Sequence, residues 1–196
     1  MNKPNFDSQQ SAHARLLNAA AVLFYNDGIA ATGIDAIVKR AGVAKKSLYN
    51  NFASKADLVV AYLEARHAEW LELYAERLSQ AKTPEEKVLA IFLAYEDHAE
   101  HAYERGFRGC GLLNAAAELD ADDPGRQVVR QHKKEVEALL ANHVAECTGA
   151  DTVRASQIAQ HLAFLLEGAM VRAGLERSSE YVRHARSIAA AILESL

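Results

Sequence analysis

The sequence is poor in proline and cysteine, with three prolines and two cysteines in 196 residues. Cys110 and Cys147 stand in unrelated contexts without CxxC spacing, which argues against a zinc site built on thiolates and is typical of a reducing compartment. No apolar run approaches the roughly 18 residues of a membrane span, and no N-terminal stretch has the order of a signal peptide. We therefore expect a soluble, cytoplasmic protein with no membrane partner.

Motifs of common enzyme classes are also absent. The sequence has no P-loop, no GxSxG, no HExxH and no dinucleotide fingerprint. His98 and His101 share a helix face beside acidic residues, and His143 and Cys147 lie one turn apart, but neither pair has a third ligand at a diagnostic spacing. A solvated helix surface explains His98 and His101 better than a metal cluster does. We predict no catalytic residue, metal or cofactor, and a helical hydrolase using this patch is the rival enzyme hypothesis.

The chain shows no useful alternating β pattern, no internal repeat and no low-complexity tract. Apolar residues instead recur at the helical period along almost its whole length. Thr32 with Asp35, and Ser54 with Asp57, look like capping boxes, and Pro84 suits a first helical position. The pattern predicts an all-α fold with about nine helices. Their predicted ranges are 11–26, 32–40, 44–50, 54–80, 84–105, 112–119, 123–147, 151–174 and a last helix capped by Ser178 or Ser179.

The two short helices around Gly42 have the features of a helix-turn-helix. Gly42 stands where the turn needs a positive φ, and Val43 and Leu48 are spaced to hold the second helix against the first. The outward side chains are types that reach phosphates and base edges in the major groove: Lys45, Lys46, Ser47, Tyr49 and Asn50. An ordinary three-helix packing unit with a solvated polar face, or an adaptor that binds protein, would share the helix–glycine–helix pattern.

The charge distribution agrees with a DNA contact at one end of the molecule. The net charge is −4, yet residues 1–60 hold seven basic against four acidic residues, which leaves −7 for the remainder. A basic N-terminal part on an acidic body is consistent with a local DNA-binding surface. A solvated helix face would carry the same charges, so the charge pattern alone is weak support.

The segment from Thr32 to Lys55, TGIDAIVKRAGVAKKSLYNNFASK, resembles the DNA-binding region of the TetR family of bacterial regulators. The matching elements are Thr32, Ala41-Gly42-Val43, Leu48-Tyr49, Phe52 and Ser54-Lys55. Roughly residues 10–60 carry the likeness, and the rest resembles the family in being helical and of the expected length. The departures are Val38 where the family often has alanine, Ala44 for serine or threonine, Lys46 for glycine and Asn51 for histidine.

The resemblance implies roles for individual residues. Thr32 and Lys55 would contact phosphates, as would Asn51, and Tyr49 would pack against the DNA backbone. The remaining DNA-facing side chains would be Lys45, Lys46, Ser47 and Asn50. The resemblance further implies a DNA-binding domain at 1–53 and a helical ligand-binding and dimerisation domain at 54–196. The expected function is a repressor that binds a palindromic operator as a homodimer and is released by a small-molecule effector.

The last two helices, about 151–174 and 179–196, are expected to form a four-helix dimer interface with a second copy. Small residues such as Gly168 would allow close approach of the helices. The same apolar stripes would equally suit the core of a monomer. They comprise Ile158, Leu162, Leu165, Leu166, Ala169, Ala185, Ile188, Ala189 and Ile192.

A small-molecule pocket is expected near the glycine-rich segment 107–114, which breaks the helical order beside several aromatic residues. Buried aromatic residues at helical spacing are more often core than binding site. Cys110 is a candidate redox or electrophile sensor, although a lone buried cysteine is usually inert packing. The candidate ligand-binding residues are Trp70, Tyr74, Phe92, Tyr95, Phe107, Cys110, Asn114, His161 and Phe164.

Overall fold

The computed structural model describes residues 10–149 and 151–196. Within these ranges the chain forms nine helices and no strand, which confirms the predicted all-α fold. No helix in this part of the chain combines the length and apolarity needed to cross a membrane. The helices are α1 (Ala12–Asp27), α2 (Ile34–Ala41), α3 (Lys45–Asn51), α4 (Lys55–Gln80), α5 (Pro84–Glu100), α6 (Gly111–Glu118), α7 (Pro124–Cys147), α8 (Thr152–Glu176) and α9 (Glu180–Glu194).

Side-chain caps explain where several helices begin. The Ser54 hydroxyl accepts a hydrogen bond from the Asp57 amide at 3.1 Å, as the sequence predicts. At α5, Thr83 and Glu86 form a complete capping box, and Pro84 between them is the first residue of the helix. These bonds use helix-terminal N–H groups that have no partner inside the helix.

Two predicted helix boundaries are wrong, and a third differs from the expected position by two residues. Thr32 does not cap α2, because its side chain is buried and its hydroxyl donates to the Gly28 carbonyl at 2.6 Å; Gly33 occupies the cap position without a side-chain bond. Helix α5 ends at Glu100, five residues early. Helix α8 continues past Gly174 to Glu176.

The last two boundaries depend on contacts between distant parts of the chain. After Glu100, the chain leaves the helix and the Tyr103 ring stacks on Tyr25 of α1 at 4.3 Å. In α8, Gly174 lies against Gly109, so the missing side chain serves a close approach rather than a helix end. The helix ends at Arg177 instead, which has a φ of 53°.

Helices α1–α3 form the N-terminal unit. Leu16 of α1, Ile37 of α2 and Leu48 of α3 are completely buried and meet in its core. Arg15 of α1 donates from Nη2 to the carbonyls of Ala41 and Gly42, at 2.6 and 2.8 Å, and so satisfies the free end of α2. Of the charges counted in the basic N-terminal part, Lys3 and Asp7 lie outside the described residues.

Helices α4–α9 form the body, in which α7 packs on α8, α5 on α9, and α4 on both α5 and α7. Its core includes Phe92, Leu140 and Leu162, all completely buried. Four of the nine side chains expected at the dimer interface are buried within one chain: Leu162, Leu166, Ala185 and Ala189. These four pack against the chain's own helices, whereas the other five are partly buried or exposed, and the dimer interface of the last two helices stays a prediction.

Residues 101–110, here called the α5–α6 loop, join the body to the N-terminal unit. Arg108 Nη1 donates to the Tyr25 carbonyl at 2.8 Å, and its amide donates to the Tyr25 hydroxyl at 2.7 Å. Ion pairs connect Arg105 with Asp27, and Glu104 with Arg40, the latter at 2.7 Å. The loop therefore holds the end of α1 by several polar contacts.

Candidate functional site

The turn between α2 and α3 has the geometry of a helix-turn-helix. Gly42 has a φ of 64°, and its amide donates to the carbonyls of Lys39 and Val38. A Cβ at this position would lie 2.8 Å from Nη2 of Arg15 and would disturb the bonds that end α2. Glycine is thus required both by the backbone conformation and by the approach of Arg15.

Helix α3 presents a polar face away from the core. Leu48 is completely buried, whereas Lys46 and Asn50 are exposed and Tyr49 is 51% exposed. The exposed residues combine a cation, an amide and an aromatic hydroxyl on one short helix. These groups can bind phosphates and base edges when such a helix lies in the major groove.

Other predicted DNA-facing residues have partners inside the protein. Lys45 forms an exposed ion pair with Asp35 at 2.9 Å, and this bond raises the lysine pKa. Asn51 Nδ2 donates to the Ser47 carbonyl at 2.7 Å, and Ser47 itself is partly buried. A contact with DNA would therefore compete with these internal bonds.

Thr32 and Lys55 both organise the turn that follows α1. Thr32 is only 3% exposed and bonds Gly28, while Lys55 Nζ donates to the Ile29 carbonyl at 2.6 Å. Helix α6 of the body also contacts this turn, because the Glu118 carboxylate accepts a hydrogen bond from the Ala30 amide at 2.8 Å. The phosphate contacts of Thr32 and Lys55 stay predictions, and substitution of either residue would also disturb this turn.

A small cavity lies in the body where Tyr25 of α1 packs on it, with about 10 Å³ of room for the centres of water molecules. Three predicted ligand-binding residues line it, Trp70, Tyr95 and Cys110. The other lining residues are Tyr25, Arg66, His98, Gly111, Leu112 and His132. Arg66 was not predicted to line the cavity, although it lies one helical turn before Trp70 and this spacing places both residues on the same face of α4.

The remaining predicted ligand residues lie elsewhere. Phe92, Tyr74 and Phe107 are core residues outside the cavity lining, and Asn114 donates to the Arg108 carbonyl at 3.0 Å. Asn114 lines a second, wider pocket of about 360 Å³ that shares Cys110 with the small cavity. His161 and Phe164 are exposed on α8 and are not brought to either pocket. Their assignment to the pocket wall is therefore wrong for a single chain.

Two histidines at the cavity are held neutral. Burial, the largest cause, lowers the pKa of both His98 and His132 to about 3, and nearby positive charges lower it further. His132 is bonded on both ring nitrogens, to His67 at 2.8 Å and to the Tyr95 hydroxyl at 3.1 Å. The expectation of a solvated surface at His98 is wrong, because its ring packs against Tyr103 and Phe107.

Cys110 lies near a cation on the cavity wall. Lys133 Nζ is 3.9 Å from the thiol sulfur and 2.7 Å from the Glu167 carboxylate. Burial lowers the Lys133 pKa, but its interactions with Tyr95, Cys110 and Glu167 outweigh burial and leave the pKa raised. No cluster of three metal-ligating side chains occurs among the residues that the structure describes.

Two family profiles match the chain. The one described as "Bacterial regulatory proteins, tetR family" matches residues 16–62, which hold α2, α3 and most of α1. The one described as "Tetracyclin repressor-like, C-terminal domain" matches residues 84–189 and alone covers more than half of the chain. Together they account for both the N-terminal unit and the body.

Curated relatives of known description are also regulators. The chain is 33% identical over 102 residues to the HTH-type transcriptional repressor KstR2 of Mycolicibacterium smegmatis, covering 51% of this chain and 49% of that protein. It is 36% identical over 95 residues to the HTH-type transcriptional activator FasR of the same organism, covering 48% and 42%. The chain thus spans about half the length of the curated relatives it matches.

The whole fold agrees with solved structures. A TetR-family transcriptional regulator from Streptomyces coelicolor superposes with a TM-score of 0.82 at 29% identity, covering 93% of this chain and 95% of that chain. This likeness extends over the body as well as the helix-turn-helix. The chain belongs to the TetR family of DNA-binding transcriptional regulators and is a regulator rather than an enzyme.

Proposed function

We propose that the chain is a ligand-responsive repressor that binds a palindromic operator as a homodimer and releases it when an effector binds. The exposed polar face of α3, with Lys46, Tyr49 and Asn50, carries the proposal. Residues 1–53 form the DNA-binding domain and 54–196 the effector-binding and dimerisation domain. Because it binds operator DNA, the protein acts on the chromosome, in the cytoplasm. The likeness to KstR2, a repressor, favours repression, and the likeness to FasR makes activation the second candidate.

A dimer is needed because one α3 helix reads only one half-site. Two recognition helices about 34 Å apart would fit successive major grooves on one side of the duplex. A stripe at helical spacing on α8 supports self-association: Phe164, Val171 and Leu175 are 63%, 54% and 74% exposed. Isolated apolar side chains on a surface are common, but three on one face make a patch that a second copy would cover.

Phe164→Glu is expected to raise the dimer dissociation constant about 100-fold, because two carboxylates would replace two apolar rings in the shared interface. Sedimentation velocity over a range of protein concentrations measures the change. The matched variant Phe164→Leu keeps the position apolar and should stay dimeric. A dimer of unchanged strength in Phe164→Glu would show that this face of α8 lies outside the interface.

The coupling of effector to DNA would run through the cavity wall. That wall joins Tyr25 of α1 to Arg66 and Trp70 of α4, so a group that widens it changes the position of the N-terminal unit. The Tyr25 hydroxyl also donates to the Gly109 carbonyl at 3.2 Å, which ties α1 to the α5–α6 loop. An effector would favour the arrangement in which the two α3 helices no longer match the operator spacing.

Lys46→Gln is expected to weaken operator binding about tenfold at physiological salt and to reduce the slope of log affinity against log salt by about 2 per dimer, since each copy loses one phosphate contact. The operator is first selected from a random duplex library with the purified protein. Fluorescence anisotropy at several salt concentrations then measures the slope. Lys134→Gln, an exposed lysine of α7, is the matched control and should bind as the parent does.

Two results would contradict the proposal in different ways. An unchanged slope in Lys46→Gln would show that the outer face of α3 does not contact phosphates. Failure to select any duplex above background at low salt would overturn operator binding itself.

A further inference from the structure

Two of the residues that line the cavity each carry a buried hydrogen-bond donor with no partner. These donors are Nε of Arg66 and Nε1 of Trp70, one turn apart on α4. Trp70 is only 3% exposed, so its indole N–H has no route to bulk water. An unsatisfied buried donor destabilises the folded protein, and does so more when it is charged. Two such donors lining one cavity indicate a binding partner with acceptor atoms.

The other polar groups of the wall are already bonded or are donors themselves. The hydroxyls of Tyr25 and Tyr95 have partners in Gly109 and His132. The wall includes no acidic side chain, and it includes Gly111 at the start of α6, where helix N–H groups are unpaired. The cavity therefore offers donors and positive potential and lacks free acceptors.

The guanidinium of Arg66 has one N–H group in an ion pair and another without a partner. Its Nη2 atom pairs with Glu69 on the outer surface, where the carboxylate is half-exposed. Its Nε atom takes no part in that pair and is buried at the cavity. The outer ion pair fixes the guanidinium in place and leaves one N–H for an inner acceptor.

We propose that the cavity binds the carboxylate of a small organic acid, with Arg66 Nε and Trp70 Nε1 each donating to one oxygen. This inference names the effector class and rests on the proposed ligand response. A carboxylate presents two acceptor oxygens in one plane, which suits two N–H donors and the flat rings of Trp70 and Tyr95. A primary amide would turn an NH₂ group towards one of the donors, and a phosphate would bring a bulkier, tetrahedral and more strongly hydrated group.

The room in the cavity sets the size of the acid and its route of access. About 10 Å³ accommodates little more than one water molecule, so the rest of the acid must lie elsewhere. Cys110 also lines the wider pocket of about 360 Å³, which makes the end of the α5–α6 loop the partition between the two spaces. Gly106 and Gly109, both with positive φ, give this loop backbone freedom. Binding would move the loop that holds Tyr25.

The position of the tryptophan gives a direct assay. Trp70 is the single tryptophan of the sequence, so fluorescence excited selectively at the tryptophan, beyond the absorption of the seven tyrosines, reports on the cavity. The probes are acetate, propionate, butyrate and benzoate, each titrated against its own primary amide into the full-length protein. At least one acid is expected to change the fluorescence saturably and to bind about tenfold or more tightly than its amide, because a charge-assisted hydrogen bond is the stronger one.

Two variants separate the cavity from the outer ion pair. Arg66→Gln removes the inner charge and should weaken acid binding about tenfold or more, while leaving amide binding nearly unchanged. Glu69→Gln breaks only the outer pair and should retain acid binding. Equal binding of acids and amides, no response to any acid in the parent protein, or parent-like acid binding in Arg66→Gln would each overturn the assignment.

Operator binding measured on the same samples distinguishes this inference from the proposed function. Intact operator binding without acid binding overturns the effector class alone. Acid binding that leaves operator affinity unchanged supports the site and overturns the ligand response. Absence of operator binding overturns the proposed function, and the comparison of acids with amides then decides the cavity chemistry by itself.

Discussion

Lowering the pH from about 7 to about 5 is expected to reduce the free energy of unfolding by about 4 kcal/mol through two histidines at the cavity, of which His132 is buried and His98 partly buried. His98 and His132 have pKa values of about 3 in the folded protein, against an ordinary 6.5. As the pH falls, the unfolded chain therefore binds protons that the folded chain does not. The stabilisation is complete above 6.5 and is lost between that value and about 3. At pH 5, the difference amounts to about 2 kcal/mol for each histidine.

The surroundings of the two rings explain why they stay neutral. Burial dominates, and the charges of Arg66 and Lys133 oppose protonation of His98, while Lys133 and His67 oppose it at His132. The Glu135 carboxylate lies 3.2 Å from Nε2 of His67, the ring that is bonded to His132.

Urea unfolding at both pH values, at one fixed protein concentration, measures the loss. The double variant His98→Gln/His132→Gln is expected to lose most of the pH dependence, whatever its stability at pH 7. His13→Gln, an exposed histidine of α1, is the matched control and should keep the dependence of the parent. A parent protein equally stable at both pH values would show that the rings are not neutral by burial.

The helix-turn-helix could be predicted because its determinants are local. Gly42 and Leu48 act through neighbours within one or two turns, and their spacing is visible in the sequence. The boundaries that failed depend on distant contacts. Thr32 turns back to Gly28 because the turn after α1 is enclosed by α4 and α6, and α5 stops where Tyr103 meets Tyr25.

Only part of the cavity lining could be predicted, because local periodicity shows which face of a helix is apolar but not what that face contacts. Periodicity places Trp70 and Tyr95 on the inner faces of their helices, and both line the cavity. Helical periodicity does not distinguish a face that is buried within one chain from a face that a second copy covers. Phe164 was therefore assigned to the pocket, although it is exposed. The helical spacing of Val129, His132 and Val136 places His132 on the buried face of α7, a signal that could have indicated it, but its contact with Tyr95 depends on how α7 packs on α5.

Gly174→Ala is expected to lower the free energy of unfolding by about 3 kcal/mol, although alanine is the better helix former. A Cβ on Gly174 would lie 2.7 Å from Gly109 Cα and 2.8 Å from Gly109 N. Both atoms belong to backbone, and Gly109 has a φ of 89°, so the α5–α6 loop must move as a whole. Because that loop bonds Tyr25, the same change should loosen α1 and weaken operator binding as well.

Gly168→Ala provides the matched control, since it lies on the same helix and a Cβ there meets nothing within 4 Å in this chain. In the monomer it should raise stability by up to about 1 kcal/mol, as expected for glycine to alanine in a helix. Thermal and urea unfolding of both variants test the difference. If Gly174→Ala is as stable as Gly168→Ala, the loop does not depend on its contact with α8. If Gly168→Ala instead loses stability or no longer dimerises, Gly168 lies against a second copy, on the same stripe as Phe164. The two glycines of α8 would then allow two different close contacts, one within the chain and one between copies.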